Sequence, residues 1–151
     1  LKFLLEFAQP GGLLKKYSVK ARDFVKAGEG SIQIQRLLKF IGFDAGFIRR
    51  ISICAYEAEM NVVMHGGDGE LRLLVDPKKV ILEVADNGPG IADIELALQE
   101  GYTTALPEHR EMGFGAGMGL PNIKKNADSL EIHSENGQGA HLTIAFEVQT
   151  N

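Results

Sequence analysis

The chain has 151 residues, 44% of them hydrophobic and 24% charged, the size and composition of one globular domain with one core rather than a disordered or collagen-like chain. Its 16 basic and 20 acidic side chains give a net charge of −4, which argues against a general nucleic-acid binder, a class that needs cations to neutralise phosphates. A single cysteine, Cys54, excludes an intramolecular disulfide and a cysteine-based zinc site.

No apolar run approaches the roughly 18 to 20 residues needed to cross a bilayer. The apolar start, Leu1 to Ala8, is interrupted by Lys2 and Glu6, a poor signal peptide. A cytoplasmic protein with no membrane segment is expected, one domain over residues 1–151 with its core at about 13–147.

The first strand is expected at 13–19, after the turn Pro10-Gly11-Gly12. A helix at 32–40 follows the punctuation Gly28 to Ser31, with Ile34, Leu37, Leu38 and Ile41 on one face. A longer helix at 45–65 carries Ile48, Ile51, Ala55, Ala58 and Val62 at helical spacing, and Gly66-Gly67 stops it. Strands at 70–75 and 80–85 form a hairpin around Asp76 to Lys79. After a loop at 86–91 comes a short helix near 93–98, and then a polar, glycine-rich stretch at 99–117, long enough to be a lid. A helix at 119–127 accepts Pro121 in its first turn, and strands at 130–134 and 140–146 close a final hairpin at Asn136-Gly137. This order predicts an α+β fold: a two-layer sandwich of a mixed, largely antiparallel sheet with helices on one face.

Three stretches carry chemistry. Glu57 and Asn61 are four apart, hence on one helix face, with Glu59 turned aside. An amide oxygen suits magnesium, and a neighbouring carboxylate can accept a proton, although a solvated helix face has the same spacing. Asp86-Asn87-Gly88-Pro89-Gly90 follows an apolar strand. A carboxylate there can accept from an exocyclic amine, and the glycines let backbone approach a flat ring, although the stretch is also good turn chemistry. Gly113, Gly115, Gly117 and Gly119 alternate up to a helix start, where backbone N–H groups and the helix dipole favour an anion. No Gly-Lys-Ser/Thr closes this run, so it is not a P-loop. His65 is read as closing its helix, His109 and Arg110 as loop residues, and His133 and His141 as strand residues without metal-ligand spacing.

Taken in order, E-x-x-x-N on a helix, D-x-G-x-G after a strand and a glycine run before a helix resemble the three nucleotide-binding boxes of the GHKL ATPases, the superfamily of gyrase, Hsp-type chaperones and histidine kinases. The stretches around Tyr56 to Gly66, Gly90 to Glu95 and Gly101 to Thr104 resemble the anti-sigma and switch serine kinases in particular. The resemblance implies the Bergerat form of the sandwich, with ATP and Mg2+ as cofactors. It implies Glu57 as catalytic base and Asn61 as magnesium ligand. ATP-binding residues would be Asn61, Asp86, Gly88, Gly90, Ile91, Thr103, Thr104, Gly115, Gly117, Gly119 and Leu120. It further implies a serine/threonine protein kinase acting on a STAS-type antagonist protein, with a sigma factor as a further partner and room for a homodimer. One departure is Gly139-Ala140 where the family often has Gly-Thr; Thr143 lies too far along to replace that hydroxyl, which implies weaker nucleotide binding. A non-catalytic, ATP-dependent binding module and an excised histidine-kinase catalytic domain are the alternatives. The second lacks a preceding hairpin with a phosphoacceptor histidine.

Overall fold

The computed structural model describes residues 12–65, 67–91, 93–99, 119–134 and 137–149. Strands β1 (Leu13–Val19), β2 (Gly69–Val75), β3 (Lys79–Asp86), β4 (Ser129–Ser134) and β5 (Ala140–Glu147) form one sheet in the order β1-β2-β3-β5-β4. All four pairings are antiparallel, so the expected mixture of directions is absent among the described residues. β5 enters between β3 and the edge strand β4, so the connection from β3 to β4 crosses over instead of forming a hairpin. That connection carries the short helix α3 (Ile94–Ala97) and helix α4 (Gly119–Asn126).

Alternation along the strands decides which face is covered. Leu71, Leu73, Val80, Leu82, Val84, Leu142, Ile144 and Phe146 point to one side and share a core with the helices. On the other face Leu14, Leu74, Ile81 and Ala145 stand in cross-strand register as a small apolar row. Next to them Glu83, only 4% exposed, faces Arg72 at 3.3 Å and His141 at 2.7 Å, so the strand histidine has a carboxylate partner. Among the described residues no group of three metal-ligating side chains forms, and no helix is long and apolar enough to cross a membrane.

Two long helices cover the core: α1 (Glu29–Ile41) and α2 (Ala45–His65). Helix α1 buries Ile34 and Leu38 and half-buries Leu37, but Ile41 is exposed, outside the expected apolar face. It also starts three residues before the expected point, for a reason that lies on α2. The Glu59 carboxylate, 3% exposed, accepts from the N–H of Gly28 at 3.1 Å, Gly30 at 3.2 Å and Ser31 at 2.9 Å. Those are first-turn donors that an α-helix leaves without partners, and Gly28 has no side chain to cap them. A capping carboxylate reached across 28 to 31 residues of chain therefore sets where α1 begins.

Helix α2 follows Asp44, whose carboxylate accepts from Phe47 N–H at 3.2 Å, and it buries Ile48, Ile51, Ala55, Ala58 and Val62 as its periodicity requires. Its far end is tied by Arg22, a left-handed residue with φ 64°, which donates its guanidinium to the Met64 carbonyl and its N–H to the Val63 carbonyl. Arg50 joins α2 to α4: it donates to the Asn126 carbonyl at 2.9 Å, pairs with Asp128 at 2.9 Å and lies 5.8 Å above the Phe146 ring. Further along α2, the Cys54 thiol donates to the Ile123 carbonyl at 3.6 Å. Ascending residue numbers on α2 thus meet descending ones on α4, so the two helices run antiparallel and the first residue of α4 lies beside the later turns of α2.

Replacing Glu59 with Ala leaves three buried N–H groups without an acceptor. We expect a loss of roughly 2–3 kcal/mol, the scale for orphaning buried donors of a charged acceptor, read from the urea unfolding midpoint. An unchanged midpoint would remove Glu59 as the determinant of the α1 start.

Candidate functional site

Glu57 and Asn61, one turn apart on α2, both face the first residue of α4. Gly119 has no Cβ there; one added would lie 3.3 Å from Asn61 Oδ1 and 3.4 Å from Glu57 Oε2. A side chain at this position would fill the space between the carboxylate and the amide, so glycine leaves a cradle at a helix N-terminus, where N–H groups and the dipole favour anions. Glu57 is half-buried, and burial raises its pKa above the ordinary 4.5, while a side-chain hydrogen bond from Asn122 acts in the opposite sense. Asn122 lies one turn into α4, and its own carbonyl accepts from the Asn126 amide at 2.9 Å. Glu59, two residues from Glu57, belongs to the α1 cap and takes no part here.

The loop at 86–91 is built around Asp86, the last residue of β3. Its Oδ1 accepts from Gly88 N–H at 2.8 Å, and among the described residues its Oδ2 receives no hydrogen bond. The strand end comes close to α2: a Cβ added to Gly69 would lie 3.1 Å from both Asp86 Cβ and Val62 Cγ1. Gly90 takes φ 84°, and Ile91 donates its N–H to Ser134 Oγ at 2.6 Å. Ser134 Oγ in turn reaches the Gly139 carbonyl at 3.3 Å, and Gly137 N–H donates to the Pro89 carbonyl at 2.8 Å. The β4–β5 turn therefore clamps the loop. A Cβ on Gly139, at φ 87°, would collide with the Asp86 carbonyl oxygen, so at this point backbone packs directly on backbone.

The β3–β5 register, continued one step beyond Ala85↔His141, sets Ala140 opposite Asp86. Thr143 pairs with Glu83, on the sheet face away from the helices, and cannot supply a hydroxyl beside Asp86. Of the expected ligand residues, Glu57, Asn61, Asp86, Gly88, Gly90, Ile91 and Gly119 belong to these two neighbouring clusters. Leu120 puts its side chain in the core. Thr103, Thr104, Gly115 and Gly117, with most of the expected lid, lie outside the described residues. Asn122 and Ser134 were not singled out by spacing. The first could have been found as the residue one turn after Gly119; the second has no sequence signal.

The raised pKa of Glu57 has a defined sign. The folded chain holds this proton more tightly than the unfolded chain, so the group adds to stability below its ordinary value and that contribution is lost as pH rises through the raised one. At neutral pH the charge is a liability to the fold. Glu57→Gln is therefore expected to keep or raise the melting temperature at pH 7, with a flatter profile than the parent between pH 4 and 7. A clear loss of stability at pH 7 would mean that the Asn122 bond outweighs burial.

Comparison with known proteins gives the family. Residues 46–150 match the family described as histidine kinase-, DNA gyrase B-, and HSP90-like ATPase. The anti-sigma F factor of Thermoanaerobacter sp. (strain X514) is 35% identical over 97 residues, 61% of this chain and 64% of that protein. The anti-sigma F factor of Caldanaerobacter subterraneus subsp. tengcongensis is 34% identical over 109 residues, covering 69% and 73%. The serine/threonine-protein kinase RsbT of Bacillus subtilis is 28% identical over 112 residues, covering 72% and 78%. With the family model matching most of the chain, and its five-stranded sheet and helices arranged as described, this protein belongs to the histidine kinase-, DNA gyrase B-, and HSP90-like ATPase family.

Proposed function

We propose that this chain binds ATP with magnesium and acts as a serine/threonine protein kinase in a partner switch. It would move the γ-phosphoryl group to a hydroxyl of a small STAS-type antagonist protein in the cytoplasm, with a sigma factor as the regulated partner. The observation that carries the reading is the convergence of Glu57 and Asn61 on the side-chain-free start of α4. Relatives named anti-sigma F factor and serine/threonine-protein kinase support it.

The residues fit the two cofactors. Asn61 offers a neutral amide oxygen for magnesium, which when bound neutralises phosphate charge. The unpaired oxygen of Asp86 accepts from the adenine amine, and Gly88 and Gly90 let the backbone lie against the ring. The N–H groups at the start of α4 face the phosphates. Glu57 accepts the proton of the attacking hydroxyl as its oxygen bonds to the γ-phosphorus and the bond from that phosphorus to the β–γ bridging oxygen breaks. Burial suits the carboxylate to this work, because a base with a raised pKa binds the proton more strongly, and Asn122 holds its orientation. Positioning and charge neutralisation supply most of the remaining rate.

Ala140 favours a second reading. No hydroxyl stands opposite Asp86, and a weakly held nucleotide suits a module that uses ATP to gate partner binding without transfer.

Glu57→Gln separates the two. Under the kinase reading ATP affinity stays within a few-fold while transfer falls roughly 10²- to 10⁴-fold, the range for loss of a general base. The acid limb of the parent's pH–rate profile, displaced upward from the ordinary carboxylate range, disappears with it. Undiminished phosphorylation removes Glu57 from the chemistry. A parent that binds its partner only with ATP and phosphorylates nothing establishes the gating module. Asp86→Asn tests the adenine contact: calorimetry should give near-complete loss of ATP binding with preference over GTP relaxed, since an amide can present a donor to a donor. A folded variant with parental ATP affinity would refute that contact.

A further inference from the structure

A groove of about 490 Å³ runs between α1 and α2, away from the sheet. Its α2 wall is one helical stripe, Ile48, Arg49, Ser52 and Tyr56, and it ends on Glu57; Lys39 closes it from α1. Three features distinguish it from ordinary surface. Lys39 and Arg49 form no ion pair among the described residues, so a chain of net charge −4 keeps two cations unneutralised along one furrow. The Ser52 hydroxyl is buried with no hydrogen-bond partner among the described residues, an arrangement that native proteins rarely leave unused. Tyr56, beside Glu57, is 42% exposed, a large ring left facing solvent at the end of the groove nearest Glu57.

We infer that this groove docks an acidic segment of the phosphoacceptor protein, an assignment that rests on the kinase reading above. The groove delivers a chain to the proposed base: the acceptor hydroxyl sits at the Glu57 end and a carboxylate sits between Lys39 and Arg49. Ser52, between the two ends, turns its buried hydroxyl into the groove on docking and donates its O–H to a carbonyl of the docked backbone. The helix sets the spacing. Arg49 and Glu57 are eight residues apart, about 12 Å at the α-helical rise. An extended segment covers about that distance in four residues. The acceptor Ser or Thr therefore has an acidic side chain about four residues away.

Fluorescent twelve-residue peptides test this on the full chain, with an ATP analogue and magnesium present. Each contains one Ser, with Asp four residues before it, Asp four residues after it, or Asn at both places. One Asp peptide should bind, with the Asn peptide weaker by roughly tenfold, and added salt should narrow the gap. Arg49→Glu and Lys39→Glu should each weaken the Asp peptide by about the same factor. Replacing the peptide's Asp by Arg should restore binding to Arg49→Glu. Ser52→Ala should cost roughly three- to tenfold, the worth of one hydrogen bond, with ATP affinity unchanged. Equal binding of Asp and Asn peptides, binding of none, or indifference to Arg49→Glu overturns the proposal. So does a parent dimer that Arg49→Glu dissociates in sedimentation, which would give the groove to a second copy. ATP titration of the same samples keeps the failures apart: a parent that binds ATP but ignores charge in the peptide fails the groove alone, and one that binds no ATP fails the nucleotide reading beneath it.

Discussion

The carboxylate of Glu59, buried and accepting three backbone N–H groups from the start of α1, is the constraint on which the helical layer rests. A charge in that position is tolerable only because donors surround it, and donors there are tolerable only because a charge meets them. Each side of the contact would be costly alone. Together they fix the distance and azimuth between α1 and α2. Glu57, two residues earlier, lies on a different side of the same helix. One turn of sequence thus carries two carboxylates with separate duties: one locks α1, the other is held half-buried in front of α4.

The candidate site is precise because rigid elements meet there with little side chain between them. Arg50 sets the far end of α4 against α2, and the antiparallel run of the two helices brings Gly119 to Glu57 and Asn61. On the sheet side the β4–β5 turn grips the loop after Asp86 through Ser134, Gly137 and Gly139. Both halves depend on atoms that are absent, a Cβ at 119 and a Cβ at 139.

Much of this was legible in the chain. β1 and α2 have the bounds that the sequence implied, β1 from the Pro10-Gly11-Gly12 turn before it and α2 from its 3.6-residue periodicity and the Gly66-Gly67 stop. The shared face of Glu57 and Asn61 follows from helical spacing alone. What escaped reading are consequences of tertiary contact. The early start of α1 depends on a carboxylate 28 to 31 residues away. Ile41, at helical spacing from the buried Ile34 and Leu38, is nonetheless exposed as the last residue of α1. The two hairpins are local, but the antiparallel β3–β5 pairing follows from β5 inserting beside β3, which no local pattern records. Asn122 reaches Glu57, and His141 reaches Glu83, only once separate elements pack.

The lone thiol gains a use from its placement. Cys54 is fully buried against the Ile123 carbonyl, and burial, opposed by the Arg50 charge and reinforced by that of Glu57, pushes its pKa up to about 12. A thiolate-seeking reagent therefore finds almost nothing to attack in the closed protein. Its reaction must wait until α2 and α4 separate, and those are the helices that carry Glu57 and Gly119. The alkylation rate of the native chain counts these partings, so opening at the heart of the site can be timed with the sulfur nature already placed there.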